Sequence, residues 1–149
     1  MRKCVQLALL LLLIAASPPP VNADQPNSGR VVEIRSYNLK PGTRDRFQAL
    51  FLAEALPMLR RWKVDVVAYG PSLHDHDSFF LIRAFPGIAE RQKSEDAFYG
   101  SQEWIAGPRE RILADIDSYT TIVVSLDEAT LQGLRRTSQG ATGKSDGPL

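Results

Sequence analysis

The sequence has 149 residues, a length that suits one domain, and 44% of them are hydrophobic, enough to build a core. Its formal net charge is +1, with 18 Lys and Arg interspersed among 17 Asp and Glu. That balance excludes a polybasic surface for nucleic acid or for an acidic membrane.

The N-terminus reads as a secretory signal. Arg2 and Lys3 form a basic start, Val5 to Ala16 is almost unbroken apolar chain, and Pro18-Pro19-Pro20 interrupts it before the small-x-small end Val21-Asn22-Ala23. A membrane anchor is the alternative, but the apolar run is about a dozen residues against the roughly 20 that a span needs. Residues 1–23 are therefore expected to be cleaved, and the protein to be exported to a periplasm or secreted, with no membrane attachment afterwards. Cys4 is the only cysteine and lies before the apolar run, so it does not fit a lipidation site. Cleavage leaves a chain without thiols, which excludes disulfides and thiolate chemistry from the mature protein. Without Arg2 and Lys3 the mature chain has 16 basic residues against 17 acidic ones.

Residues 24–29 form a polar linker, and Arg30 to Asn38 follows as a first strand. Its alternation puts Val32, Ile34 and Ser36 on one face and Val31, Glu33, Arg35 and Tyr37 on the other. Lys40-Pro41-Gly42 ends it. Thr43 is placed to cap a helix whose stripe is Phe47, Leu50, Phe51, Met58, Leu59 and Trp62, with a kink expected at Pro57. Val64 to Leu73 reads as a second strand, His74-Asp75-His76-Asp77 as a turn, and Ser78 to Phe85 as a third strand. Ile88 to Tyr99 reads as a largely solvated helix, because its middle is polar. After a break at Gly100, with Ser101 available as a cap, Pro108 opens a helical segment to Ile116. Asp117 to Ser125 is the fourth strand. Ser125-Leu126-Asp127-Glu128 fits a capping box for a short helix to Arg136, and the Gly/Ser/Thr-rich residues 137–149 read as disordered.

The order strand, helix, two strands, broken helix, strand specifies an α+β, ferredoxin-like βαββαβ sandwich over residues 30–125, with residues 126–149 as helix and tail. Helices on one face of such a sheet leave the other bare. We expect that bare face to carry Glu33, Arg35 and Tyr37 with Phe79, Leu81, Arg83 and Phe85. Covering so aromatic a face with a second copy gives a homodimeric, closed α/β barrel with an internal cavity.

The stretch Glu33-Ile34-Arg35-Ser36-Tyr37-Asn38-Leu39-Lys40-Pro41-Gly42 resembles the opening of the NIPSNAP-domain family, within the dimeric α/β-barrel superfamily. Phe47, Ala55-Leu56-Pro57, Leu81-Ile82-Arg83-Ala84-Phe85, Ala89-Glu90-Arg91 and Ser101-Gln102-Glu103-Trp104 follow in matching order. The resemblance spans residues 30–124 and implies the ferredoxin-like dimer. It does not choose an activity, because the superfamily includes haem-degrading and quinone-forming monooxygenases and lactone isomerases. The exported start and the His-Asp-His-Asp turn depart from many relatives.

Arg35, Tyr37 and Arg83 are the candidate catalytic residues. Two guanidiniums suit a carboxylate or enolate, and a tyrosine can donate a proton or a hydrogen bond to it. Glu33, Phe85 and Trp104 are candidate ligand contacts, Trp104 as an aromatic cap for a planar molecule. The competing reading makes Glu33 with Arg35 or Arg83 an internal ion pair that only fixes the dimer. His74 and His76 share one side of extended chain, yet no third metal ligand accompanies them, so no metal and no cofactor is assigned. Nucleotide, serine-hydrolase and zinc-protease motifs are absent from the sequence. Two readings result. One is a small-molecule site for an apolar or aromatic, anionic compound, acting as a cofactor-independent isomerase or monooxygenase. The other is a non-catalytic interaction module.

Overall fold

A computed structural model describes residues 29–141; the expected signal at residues 1–23, most of the linker and residues 142–149 lie outside it. β1 (Arg30–Leu39) leads through a tight turn into α1 (Arg44–Leu50), which continues as a π-helical segment (Phe51–Ala55) into α2 (Leu56–Arg61). β2 (Asp65–Pro71) and β3 (Ser78–Phe85) follow, then α3 (Ile88–Tyr99), α4 (Gln102–Ala106), α5 (Arg109–Asp115), β4 (Ile116–Leu126) and α6 (Glu128–Ala141). The sheet is antiparallel throughout, in the order β2-β3-β1-β4, which is the ferredoxin-like arrangement expected from the element order. Among the described residues no helix is long and apolar enough to cross a membrane.

Local chemistry explains the element ends. Pro41 and Gly42 occupy the middle of a β-turn closed by the Thr43 N–H on the Lys40 carbonyl at 3.1 Å. Gly42 has φ +74°, a conformation that a side chain would strain. Thr43 sits at the start of α1 but does not cap it; its hydroxyl donates back to the Lys40 carbonyl at 2.8 Å. The kink expected at Pro57 takes the form of the π-helical segment immediately before it. Proline has no N–H to give its preceding turn, and a wider turn absorbs the lost bond. Ser101 caps α4 by accepting the Trp104 N–H at 3.1 Å. The cap of α6 is Asp127, which accepts the Thr130 N–H at 2.9 Å, and not Ser125, which belongs to β4. The last helix also runs past Arg136, through five residues expected to be disordered.

The two faces of the sheet are populated as the alternation predicts, but their roles are exchanged. The face with Tyr37, Phe79, Leu81 and Phe85 packs against the helices, where Phe47 lies 5.2 Å from Phe79 and Phe51 lies 5.3 Å from it. It is the main core, not the bare face. Aromatic bulk is what a helix layer needs to fill the gap above a sheet, and α1, the π-helical segment, α3 and α4 supply the matching rings Phe47, Phe51, Phe98 and Trp104. The other face carries Val32, Ile34, Phe80, Ile82 and Ala84. α6 covers part of it, with Leu131 fully buried against Val32, Val67, Ala68 and Ala84. The rest of that face remains open along β1, β3 and β4. Ile122 at 53% exposure is its most exposed large side chain.

Candidate functional site

Directly opposed pairs on β1, β3 and β4 build the floor of the site. Glu33 faces Arg83, Arg35 faces Leu81 and Thr121, and Tyr37 faces Phe79 and Tyr119. α3 crosses above them and turns Arg91, Glu95 and Tyr99 down onto this floor. These three are spaced four residues apart, so they share one face of the helix. The helix read as solvated is therefore amphipathic in charge: its polar middle faces inward as well as outward.

A compact ionic cluster results. Glu33, with no solvent exposure, accepts hydrogen bonds from Arg83 and Arg91, the Arg91 Nε bond being 2.7 Å, and Arg35 stands 3.1 Å away. Glu95 meets the same three guanidiniums, at 2.5 Å from Arg83, 2.8 Å from Arg91 and 3.2 Å from Arg35. The Tyr99 hydroxyl accepts from Arg35 at 3.1 Å and from Arg83 at 3.3 Å. Arg35 also donates to Thr121 at 3.2 Å and lies over the Tyr119 ring, 5.0 Å from its centroid. Three guanidiniums against two carboxylates leave one excess positive charge.

The proton affinities of the two carboxyls are pushed apart. Burial opposes ionisation of Glu33, but the guanidiniums of Arg83, Arg35 and Arg91 outweigh it and hold its carboxyl below the ordinary glutamate value. Burial raises the Glu95 carboxyl; Arg83 opposes the rise and the nearby negative charge of Glu33 adds to it. Burial also drives the Tyr37 phenol well above its usual range, so Tyr37 is a neutral hydrogen-bonding group at working pH.

Beside the cluster opens a cavity of about 600 Å³ between the sheet and α3, α4 and α5. Tyr37, Tyr99, Trp104 and Tyr119 supply its aromatic wall, Ile112 and Ile116 its apolar side, and Arg35 and Glu95 its polar end. Arg109 stands among the lining residues as an exposed guanidinium with no ion pair or side-chain hydrogen bond among the described residues. α5 is held in place by Asp115, almost fully buried, whose two carboxylate oxygens each accept the Arg46 Nε–H at 3.1 Å.

Of the residues expected from sequence, Arg35, Tyr37 and Trp104 line this cavity. Trp104 is mostly buried, with its ring 5.3 Å from Phe98 and 5.5 Å from Tyr99, so it is both a packed residue and part of the wall. Glu33 and Arg83 lie behind the cavity as the buried floor of the cluster, and Phe85 lies under Arg83, in the core and off the cavity. The Nε of Arg83 is a buried donor with no partner among the described residues. Sequence reasoning missed Arg91, Glu95, Tyr99, Arg109 and Tyr119. The signal for the first three was the four-residue spacing on α3. Neither His74 nor His76 lines the cavity: both are exposed, and the Arg44 guanidinium is 3.3 Å from the His76 ring. Among the described residues no group of three or more His, Cys, Asp and Glu is placed to hold a metal.

Solved structures share the fold that carries this site. A NIPSNAP family protein from Agrobacterium tumefaciens superposes with a TM-score of 0.63 at 14% identity, over 70% of this chain and 91% of that one. A NIPSNAP domain protein from Burkholderia xenovorans gives 0.58 at 16% identity, over 63% and 91%. The chain has the NIPSNAP fold. A putative antibiotic biosynthesis monooxygenase from Bacteroides thetaiotaomicron shares the fold more distantly, with a TM-score of 0.52 at 10% identity over 66% and 90%. At these identities the likeness is one of fold. No protein-family model matches the sequence, and no curated protein matches it.

Proposed function

We propose that this NIPSNAP-fold chain is an exported homodimer whose sheet–helix cavity binds a small aromatic or otherwise planar organic anion. The observation that carries the reading is the join between the cavity and the ionic cluster. A space of about 600 Å³, the size of a small-ligand site, has tyrosine and tryptophan walls and ends on a cluster with one excess positive charge. A monoanion entering there neutralises the excess while its ring stacks against Tyr99, Trp104 or Tyr119. Arg35 is the cluster guanidinium that reaches the cavity; Arg83 acts from behind it.

A second reading has its own support. Glu33 and Arg83 are fully buried and paired, which is how a purely structural ion cluster looks. In that case the chain is a non-catalytic binding or interaction module.

Native mass spectrometry of protein recovered from its own host separates the two. The first reading expects a chain beginning at Asp24 with a discrete organic acid bound. In titration calorimetry against benzoate, phenylacetate and phenylpyruvate, Arg35→Ala weakens binding at least tenfold, roughly 1.4 kcal/mol or more, while neutral analogues such as benzyl alcohol bind poorly to either protein. A chain that ignores the whole acid panel supports the interaction module instead.

A further inference from the structure

We propose that the cavity catalyses proton transfer at a carbon next to a carbonyl, with Glu95 as the base and Tyr99 as the hydrogen-bond donor to the developing enolate oxygen. The proposal rests on the ligand-binding reading above and names its substrate class: an aromatic 2-oxo acid or a similar enolisable monoanion.

Three observations converge on it. Glu95 and Tyr99 are one helical turn apart on α3, and both line the cavity, so a bound molecule touches them together. The Tyr99 oxygen already accepts two hydrogen bonds from guanidiniums on the sheet side, Arg35 on β1 and Arg83 on β3. Its own hydrogen is then left for a third partner, and two positive donors on the oxygen strengthen that O–H as a donor. The third observation is charge. With both carboxylates ionised, the cluster of Arg35, Arg83, Arg91, Glu33 and Glu95 carries one positive charge, which a monoanionic oxo acid cancels. Arg109, with no ion pair or side-chain hydrogen bond among the described residues, stands at the cavity for the acid's carboxylate and offsets Asp96, the other acidic residue of the lining besides Glu95. Burial and the charge of Glu33 make the Glu95 carboxylate more basic than a free glutamate, in the direction a general base needs.

The step balances without an oxidant. Glu95 takes the proton from the carbon adjacent to the carbonyl, and the C–H electron pair becomes the carbon–carbon double bond of the enolate. The carbonyl π pair moves onto oxygen, where the Tyr99 O–H holds it. Glu95 then returns the proton to the same carbon, or to another carbon of a conjugated system, which gives exchange in the first case and isomerisation in the second.

The test is hydrogen–deuterium exchange of phenylpyruvate in deuterated buffer, followed by proton NMR at the benzylic carbon, with binding measured separately by calorimetry on the full chain. The wild-type protein is expected to accelerate exchange. Glu95→Gln is expected to reduce the acceleration at least 100-fold, and Tyr99→Phe at least tenfold, with both variants still binding phenylpyruvate. Binding by the wild type without exchange above the buffer rate overturns the inference and leaves the ligand site standing. So does an unchanged rate in Glu95→Gln. Should Glu95→Gln fail to fold, Tyr99→Phe decides, because it keeps every carboxylate and guanidinium; an unchanged rate there also overturns the inference. Failure of the wild type to bind phenylpyruvate and the other aromatic acids overturns both readings.

Discussion

Glu33 is the residue whose charge state the site depends on most. It has no solvent exposure and is the shared acceptor for Arg83 and Arg91, with Arg35 close by. Replacing it with glutamine keeps the shape and removes the charge, leaving three guanidiniums around Glu95 alone. Breaking a buried ion pair on one side costs about 3 kcal/mol or more, because the remaining charge stays desolvated. Glu33→Gln is expected to lower stability by about that amount at pH 7, read by urea denaturation. The pH dependence has a definite sign. Glu33 titrates lower in the folded chain than the ordinary glutamate value of 4.5, so its stabilisation is complete above that value and is lost as pH falls through the folded one. The wild type and Glu33→Gln therefore converge in stability in acid. A gap that persists unchanged down to the acid unfolding of the wild type would mean that the loss came from packing and not from charge.

At the scale of elements, the end of α2 offers a clean perturbation. Lys63 adopts φ 57°, in the left-handed region, while the Val64 N–H closes the helix on the Leu59 carbonyl at 2.9 Å. A lysine there bears a steric cost that glycine does not, offset in part by the greater freedom glycine has when unfolded. Lys63→Gly is expected to stabilise the chain by about 0.5–1 kcal/mol, raising Tm by a few degrees; a lower Tm would assign Lys63 a contact that the strain serves. Such elements show what the sequence discloses and what it hides. The strands were legible because period-two alternation is local: β3 spans Ser78–Phe85 as read, and the face partition of β1 is correct residue by residue. Which face the helices choose is not local. A helix-facing core that holds Glu33 and Arg83 needs partners from the helix layer, and α3 supplies them as Arg91, Glu95 and Tyr99. The polar run in α3 hid this, since a helix with charges on every side gives no apolar stripe to follow. Arg109 and Tyr119 belong to the site only through the packing of α5 and the register of β4, which spacing along the chain does not encode.

For the whole molecule, the exchange of faces changes what a second copy would cover. The site lies within one chain, between sheet and helices, so a dimer need not enclose the cluster. The face left for a partner is the opposite one, where Ile82, Ile34 and Ile122 form a row across β3, β1 and β4 in direct register. Val124 continues it, and α6 blocks its β2 side through Leu131. Apolar rows of this kind on an open sheet are unfavourable in water, and β4 is in addition an edge strand with exposed large side chains. Packing against the same face of a second chain removes the row from solvent by a two-fold operation, the commonest arrangement of oligomers. The purified protein is therefore expected to run as a dimer in size-exclusion chromatography with light scattering. Ile122→Glu places a charge at the edge-strand end of the shared row without touching the cavity, because Thr121 and Val123, not Ile122, share the face of Arg35 and Glu33. It is expected to yield a folded monomer with an unchanged helical circular-dichroism spectrum and with aromatic-acid binding intact. A wild-type monomer would show that the row stays open, and lost ligand binding in the folded Ile122→Glu monomer would show that the cavity depends on the second copy after all.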